Sequence, residues 1–391
     1  MAKREPPGGP TATSTARSSA DTDAITDENR HELSVLMYPD STDSNPYQRE
    51  LRDGLQSHGV AVEMSGYGRY VSLLPAVREH GRPDVVHLHW LSKSFVTEQS
   101  WLTAFLGVRL LVELLVLRLS GVRVVWTIHN RTEHARRSPR VELLTKRLAT
   151  RLIDGIIVHC DAARDTVMEL FDLSADDRPD VRTVPHGNYL DSYPNEICRA
   201  DARADLGYGR EETVFLYFGL IRPYKNVPEL VDTFRELDAP DARLLVVGNP
   251  WSDELAATVR DHVAADDRAR AVLEFVSDDE IQRYMNAADA VVLPYEEVLT
   301  SGAAILAMSF GNPVVAPNRG CVGERLDPRW NVRYDPADAD GLRAALADAL
   351  DSDLRTMGEG NYEASTRLDW SDLSLRTRQV YEVTMDERPS H

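Results

Sequence analysis

From residue 33 onward, short apolar runs alternate with longer stretches of helical period. "LSVLMYP", "DVVHLHW", "RVVWTIHN" and "GIIVHC" are β-branched and nearly continuous, the pattern of strands buried on both faces. Between them, 46–58, 71–80, 98–119 and 140–152 repeat with the period of a helix. A second series begins near residue 213 with "TVFLYFG", "ARLLVVG", "VLEFV", "AVVLPY" and "PVVAP", interleaved with "VPELVDTFREL" and "DDEIQRYMNAAD". Strands alternating with helices predict parallel sheets built of right-handed strand–helix–strand units. The fold class is therefore α/β, with two doubly wound halves. The polar, turn-rich segment 188–211 lacks clear periodicity and reads as the crossing between them.

Ligands of such sheets bind beyond the carboxyl ends of the strands. The residues expected there are His87, His89 and Trp90, then His129 and Asn130, His159, His186 and Gly187, Gly219, Gly248, Pro294 and Tyr295. A strand end at Gly219 is followed by "LIRPYKN", which carries Arg222 and Lys225 just before a helix whose first turn holds Pro228. One ammonium and one guanidinium across a strand end suit an oxyanion. A second anion device lies in "LPYEEVLTSGAAILAMSFGNPVVAP". There Thr300 or Ser301 caps an apolar helix, and Gly302 lets a ligand approach its free N–H groups. Two such devices in one half suit a diphosphate.

Competing motifs fail. "SGYGRY" has two glycines and Val71 where a dinucleotide fingerprint needs a third, and no Walker sequence is present. His87 and His89 share a strand face but lack carboxylate partners at metal-binding spacing. Asp21–Asp23 and Asp338–Asp340 match a D-x-D pattern only as an Asp-rich chain does by chance, so no metal site is expected.

Composition narrows the class. The 391 residues carry 63 acidic against 44 basic side chains, a formal charge of −19, which excludes a nucleic-acid binder and disfavours a polybasic anchor. The length fits two domains and a tail. Lysine occurs only at Lys3, Lys93, Lys146 and Lys225, and this scarcity beside abundant Asp resembles proteins of halophilic organisms, where salt screens like charges. Cys160, Cys198 and Cys321 are odd in number and far apart, which predicts no disulfide framework and a reducing compartment. Residues 1–31 lack an apolar signal core and read as a disordered leader. The apolar run 101–120 is interrupted by Arg109, Glu113 and Arg118, so a packed helix is expected rather than a membrane span. The alternative is a helix that lies on a membrane or meets a lipid-linked substrate.

Taken in order, "PDVVHLHW", "VVWTIHN", "VPHGNY", "FGLIRPYKNVPELVDTF", "MNAADAVVLPY" and "SGAAILAMSFGNPVVAP" resemble the signature segments of GT-B fold glycosyltransferases. The likeness is to family 4 and to exopolysaccharide enzymes of the β-mannosyltransferase kind, and it runs from about residue 33 to 386. It implies two Rossmann-like domains facing each other across a cleft, an acceptor domain over 32–200 and a nucleotide-sugar domain over 201–365. The final segment, 366–391, resembles the helix that returns to the first domain. The resemblance places the donor at Gly219, Arg222, Lys225, Gly248, Val276, Ser277, Thr300, Ser301 and Gly302, and the acceptor near Asn45, Tyr47, Trp90 and Asn130. His129 matches a histidine near the reacting sugar, and an inverting outcome would need a base from among His129, His89 and Glu133. Two glutamates usual in family 4 fall on Val298 and Leu306, so the ribose contact is expected to be lost or to be taken over by Glu296 or Glu297.

The implied activity is transfer of a hexose from a UDP- or GDP-sugar to a glycan or lipid-linked glycan. It is expected to need no cofactor and no metal, to occur in the cytoplasm, and to allow peripheral contact with the inner face of the membrane through 101–120. A non-catalytic homologue and a nucleotide-sugar 2-epimerase are the alternatives.

Overall fold

The computed structural model describes residues 32–42, 45–66, 70–130, 138–174 and 179–386. Its first six strands are β1 (Leu33–Tyr38), β2 (Val60–Met64), β3 (Val85–Leu88), β4 (Arg123–Thr127), β5 (Gly155–Val158) and β6 (Asp180–Thr183). They form one sheet in the order β2-β1-β3-β4-β5-β6. The next six are β7 (Thr213–Phe218), β8 (Ala242–Val247), β9 (Ala269–Val272), β10 (Ala290–Val292), β11 (Val314–Pro317) and β12 (Val332–Tyr334). These follow the order β12-β11-β10-β7-β8-β9. All the pairings are parallel.

Both faces of each sheet are covered, which is why the inner strands are apolar without alternation. Along β1, Leu36 and Tyr38 join one core cluster while Val35 and Met37 join another on the opposite face. In β7, Val214, Phe215, Leu216 and Tyr217 are all inaccessible to solvent. Strand order reverses between β1 and β3 in the first sheet and between β7 and β10 in the second. Such reversals open a crevice at the carboxyl edge, because the flanking helices leave on opposite faces.

The two carboxyl edges face each other. Thr300 Oγ1, beyond β10, donates to the carbonyl of His129, beyond β4, at 3.0 Å. Glu324 accepts from the N–H groups of Asp161 (3.2 Å) and Ala162 (2.8 Å), at the start of helix Asp161–Phe171. Helix Trp370–Asp386 packs on the first half: Tyr381 Oη meets His87 Nδ1 at 2.7 Å, and Trp370 Nε1 donates to the Asn188 carbonyl at 2.7 Å.

Several expectations are corrected. Strands β2, β6 and β12 were not foreseen, and "VLEFV" is not a strand: β9 ends at Val272 and the rest is loop. The segment 188–211 contains the helix Arg199–Leu206, which spans the expected boundary at 200. Cys160 and Cys321 are joined in a disulfide with Cα atoms 5.4 Å apart, and Cys198 alone is a free, exposed thiol. The partners lie 161 positions apart and meet only because β5 and β11 end on opposite lips of the cleft, so linear spacing could not reveal them. The inference of a reducing compartment from the cysteines therefore falls. The leader and Glu133 lie outside the described residues.

Candidate active site

The donor side is built on two glycines. Gly219 ends β7 with φ 125° and Gly248 ends the adjacent β8 with φ 152°, a region open to glycine alone. Bare backbone therefore forms the cleft floor. Lys225 closes a short 3-10 turn after Gly219, and Asn226 (φ 55°) then turns the chain into helix Val227–Arg235. This geometry suspends the Lys225 ammonium above Gly219 and 5.0 Å from the Tyr295 ring centroid. No carboxylate among the described residues forms an ion pair with it. Burial disfavours the charged form and lowers its pKa, and the nearby Arg222 adds to the fall while Tyr224 opposes it. The Arg222 guanidinium stacks on Trp251 with 4.2 Å to the ring centroid.

Facing Lys225 is the start of helix Gly302–Ser309. Ser301 caps it by accepting from Ala304 N at 3.2 Å. A side chain at Gly302 would approach Tyr189 Oη at 3.2 Å, so glycine keeps this end open. Lys225, Glu297, Thr300, Ser301, Gly302 and Asn130 line one pocket. It adjoins a cavity of about 480 Å³ lined by Asn45, Trp90, Lys93 and Asn130 from the first half and Gly219, Arg222, Lys225, Gly248 and Val276 from the second. An anion held in the first pocket meets the Lys225 ammonium and the helix N-terminus, while the Arg222 guanidinium lines the adjoining cavity.

Other expected residues lie elsewhere. Ser277 precedes helix Asp278–Ala287 at the cavity margin, its hydroxyl turned to Glu280, and is not part of the lining. Glu296 is engaged through its backbone, its N–H to the Tyr224 carbonyl and its C=O from Arg319. Val298 lines the anion pocket beside Glu297, and Leu306 is buried in the second core. Tyr47, expected on the acceptor side, is buried beneath the cleft against His89, His129, His159, His186 and Trp370. The inward face of its helix explains this: Asn45, at the cap, and Pro46 reach the cavity while Tyr47 turns into the core.

His129 and His89 belong to the same buried cluster. His159 Nδ1 lies 2.9 Å from the Val184 carbonyl and so carries its proton, leaving Nε2 to accept from His129 Nδ1 at 3.4 Å. His129 Nε2 then accepts from His89 Nδ1 at 3.2 Å. Both nitrogens of His129 thus face other histidines, and Trp90 stacks on its ring with 4.6 Å between centroids. Burial holds every member neutral, reinforced by the other imidazoles at His87, His89, His129 and His186 and by Arg325 at His159. His159 falls to about 4 and His87 and His186 to about 3, with His89 and His129 well below the ordinary value.

The sequence reading missed Lys93, Tyr193, Glu274, Phe275 and Asp278, all in the cavity lining. Lys93 could have been found from rarity, since each described lysine has a specific setting. Lys93 lies over the Trp90 ring at 5.0 Å and donates to Ser41, Lys146 is buried on Glu142, and Lys225 faces the capped helix. Phe275, 72% exposed, was hidden by the mistaken strand.

The chain is 30% identical to a GDP-mannose:glycolipid 4-beta-D-mannosyltransferase of Xanthomonas campestris pv. campestris over 344 residues, 87% of this chain and 89% of the relative. A family model described as "Glycosyl transferases group 1" matches residues 212–352. The chain belongs to the group 1 glycosyl transferases. This glycosyltransferase is also 26% identical to a D-inositol 3-phosphate glycosyltransferase of a Mycobacterium species, over 68% of its length and 58% of the relative's. Its fold is that of sucrose-phosphate synthase from Thermosynechococcus elongatus, with a TM-score of 0.71, 20% identity, and 92% and 100% of the two chains covered. Anabaena HepE in complex with UDP and glucose is similar as well, with a TM-score of 0.67, 15% identity, and 90% and 100% covered. GT-B architecture, expected from the order of the sequence segments, is thereby established.

Proposed function

We propose that this glycosyltransferase moves a mannosyl residue from GDP-mannose to a glycan carried on a lipid, at the inner surface of a membrane and without a metal ion. The observation that carries the reading is the opposition of Lys225 to the capped helix start at Thr300–Gly302. A diphosphate between them has its developing negative charge met by Lys225, Arg222 and the helix N-terminus, the role a metal fills in other sites.

The choice of guanine is supported at the other end of the cavity, where Glu274 and Asp278 flank Phe275 and Val276. A carboxylate there accepts from the adjacent N1–H and N2–H₂ of guanine, whereas uracil offers one N–H. Phe275 supplies an exposed aromatic face for stacking. Mannose as the sugar, and lipid as the carrier, are supported by the Xanthomonas relative. Glu297, beside Val298 in the anion pocket, suits the ribose contact that Val298 and Leu306 cannot make.

In this reading His129 positions rather than reacts: it backs Trp90 and precedes Asn130 at the acceptor side. Calorimetric titration with GDP, UDP and ADP tests the proposal. GDP is expected to bind at least tenfold tighter than UDP, with or without a chelator. Equal affinities would remove the guanine assignment, and loss of binding on chelation would remove the metal-free one.

A further inference from the structure

Helix Ser100–Leu119 turns an apolar stripe outward. Trp101, Phe105, Val108, Val112, Leu115 and Leu119 are between 44% and 79% exposed. Their spacing of four, three, four, three and four residues keeps them on one side of a helix about 30 Å long. The opposite side, including Leu106, Leu110, Leu114 and Leu117, is packed in the core. Contiguous exposed apolar surface of this kind marks a contact rather than a solvated face.

The neighbouring helix, Pro139–Thr150, packs closely: a side chain at Gly107 would meet Thr145 Oγ1 at 2.7 Å. Its outward row is Arg140, Leu144 and Arg147, continued by Arg151. Arg118 reaches across from the apolar helix to the Arg151 carbonyl at 3.2 Å. Charge here departs from the rest of the chain. Residues 100–153 hold ten Lys and Arg against three Asp and Glu, in a protein of net charge −19. Two of those acids, Glu113 and Glu142, are buried. The third, Glu133, lies outside the described residues.

We infer that this face docks on an anionic lipid bilayer, an inference that rests on the reading of the acceptor as lipid-linked. Apolar and aromatic side chains enter the boundary between headgroups and acyl chains, and the arginine row pairs with lipid phosphates. A two-fold self-contact with antiparallel stripes would set the arginine rows against each other, and any self-contact would join two chains of net charge −19, which disfavours a second copy as the occupant. Among the described residues no helix is long and apolar enough to cross a membrane, so this one lies on the surface. Its start follows the carboxyl end of β3, at the cleft edge, and Ser100 Oγ accepts from Ser138 Oγ at 2.6 Å. Trp101 and Phe105 therefore stand nearest the cleft, and docking brings its mouth to the headgroup layer where a lipid-linked glycan emerges.

Co-sedimentation of the full chain with vesicles tests this. Binding is expected to vesicles of phosphatidylcholine with a third phosphatidylglycerol, and to fall at least tenfold on pure phosphatidylcholine or in molar salt. Trp101→Ser with Phe105→Ser should abolish it, and Arg140→Gln with Arg147→Gln should weaken it about fivefold per arginine. GDP affinity should be unchanged in both variants. Equal binding to neutral and anionic vesicles, or undiminished binding by the serine variant, overturns the proposal. So does a dimer in solution that the same substitutions dissociate. The acceptor reading fails separately: vesicles would still bind while a lipid-linked glycan offered in detergent received no sugar.

Discussion

The carbonyl oxygen of Gly219 fills the space that a side chain at Gly248 would need, since a Cβ there would lie 1.8 Å from it. The two residues end neighbouring strands in register, Phe218 beside Val247, so neither backbone can retreat without breaking the ladder. Gly248→Ala is expected to cost several kcal/mol, combining a clash with a backbone angle closed to alanine. Urea unfolding measures the loss. A variant within 1 kcal/mol of wild type that still binds GDP would show that the floor is pliable.

Lys225→Ala removes a desolvated cation from the proposed diphosphate site. A hydrogen bond to a charged group is worth about 1.5–3 kcal/mol, so affinity for GDP should fall about 10- to 100-fold with thermal stability nearly unchanged. Unaltered affinity by calorimetry would sink the clamp.

The histidine cluster makes stability depend on pH. The folded-state values lie below the ordinary 6.5, so unfolding takes up protons at any pH between the two. Stability is then complete above about pH 6.5 and is lost as pH falls toward about 4 for His159 and about 3 for His87 and His186. Each imidazole contributes up to about 1.4 kcal/mol per pH unit in that window. Denaturation midpoints measured from pH 7.5 to 5 should fall steadily, and a flat profile would contradict a neutral cluster.

His129→Ala should lower kcat through loss of the surface behind Trp90, leaving the shape of the pH–rate profile unchanged. Disappearance of its acidic limb would instead make His129 the proton acceptor.

Thiol titration of the denatured chain should give one reactive group without reductant, from Cys198, and three after reduction. Cys160→Ser with Cys321→Ser should lose a few kcal/mol of stability, because the closed loop is long. Three thiols at the outset would remove the link.

What the sequence disclosed follows position in the sheets. The eight interior strands were legible because each is buried on both faces and reads as an unbroken apolar run. The misses, β2, β6, β9 and β12, are the four edges. In β2, Val60 and Val62 are buried while Ala61 and Glu63 are exposed, an alternation that in five residues blends with loop. Lys225 and the Thr300–Gly302 cap were found because local chemistry marks them. Tyr47 was misplaced because only tertiary packing decides which side of a first helical turn faces in. The disulfide and the Glu274–Asp278 edge of the cavity exist only through contacts or loop geometry that no local window contains.

Among the described residues, two of the ties between the halves are set well apart. One tie is the Cys160–Cys321 bridge, and the other is the crossing where Asn188 N meets the Leu368 carbonyl and Trp370 holds the Asn188 carbonyl. Two bodies pinned at two points keep a single rotation, about the line through the pins. A swing about that line would part the Thr300–His129 contact while the floor at Gly219 and Gly248 travels as one piece.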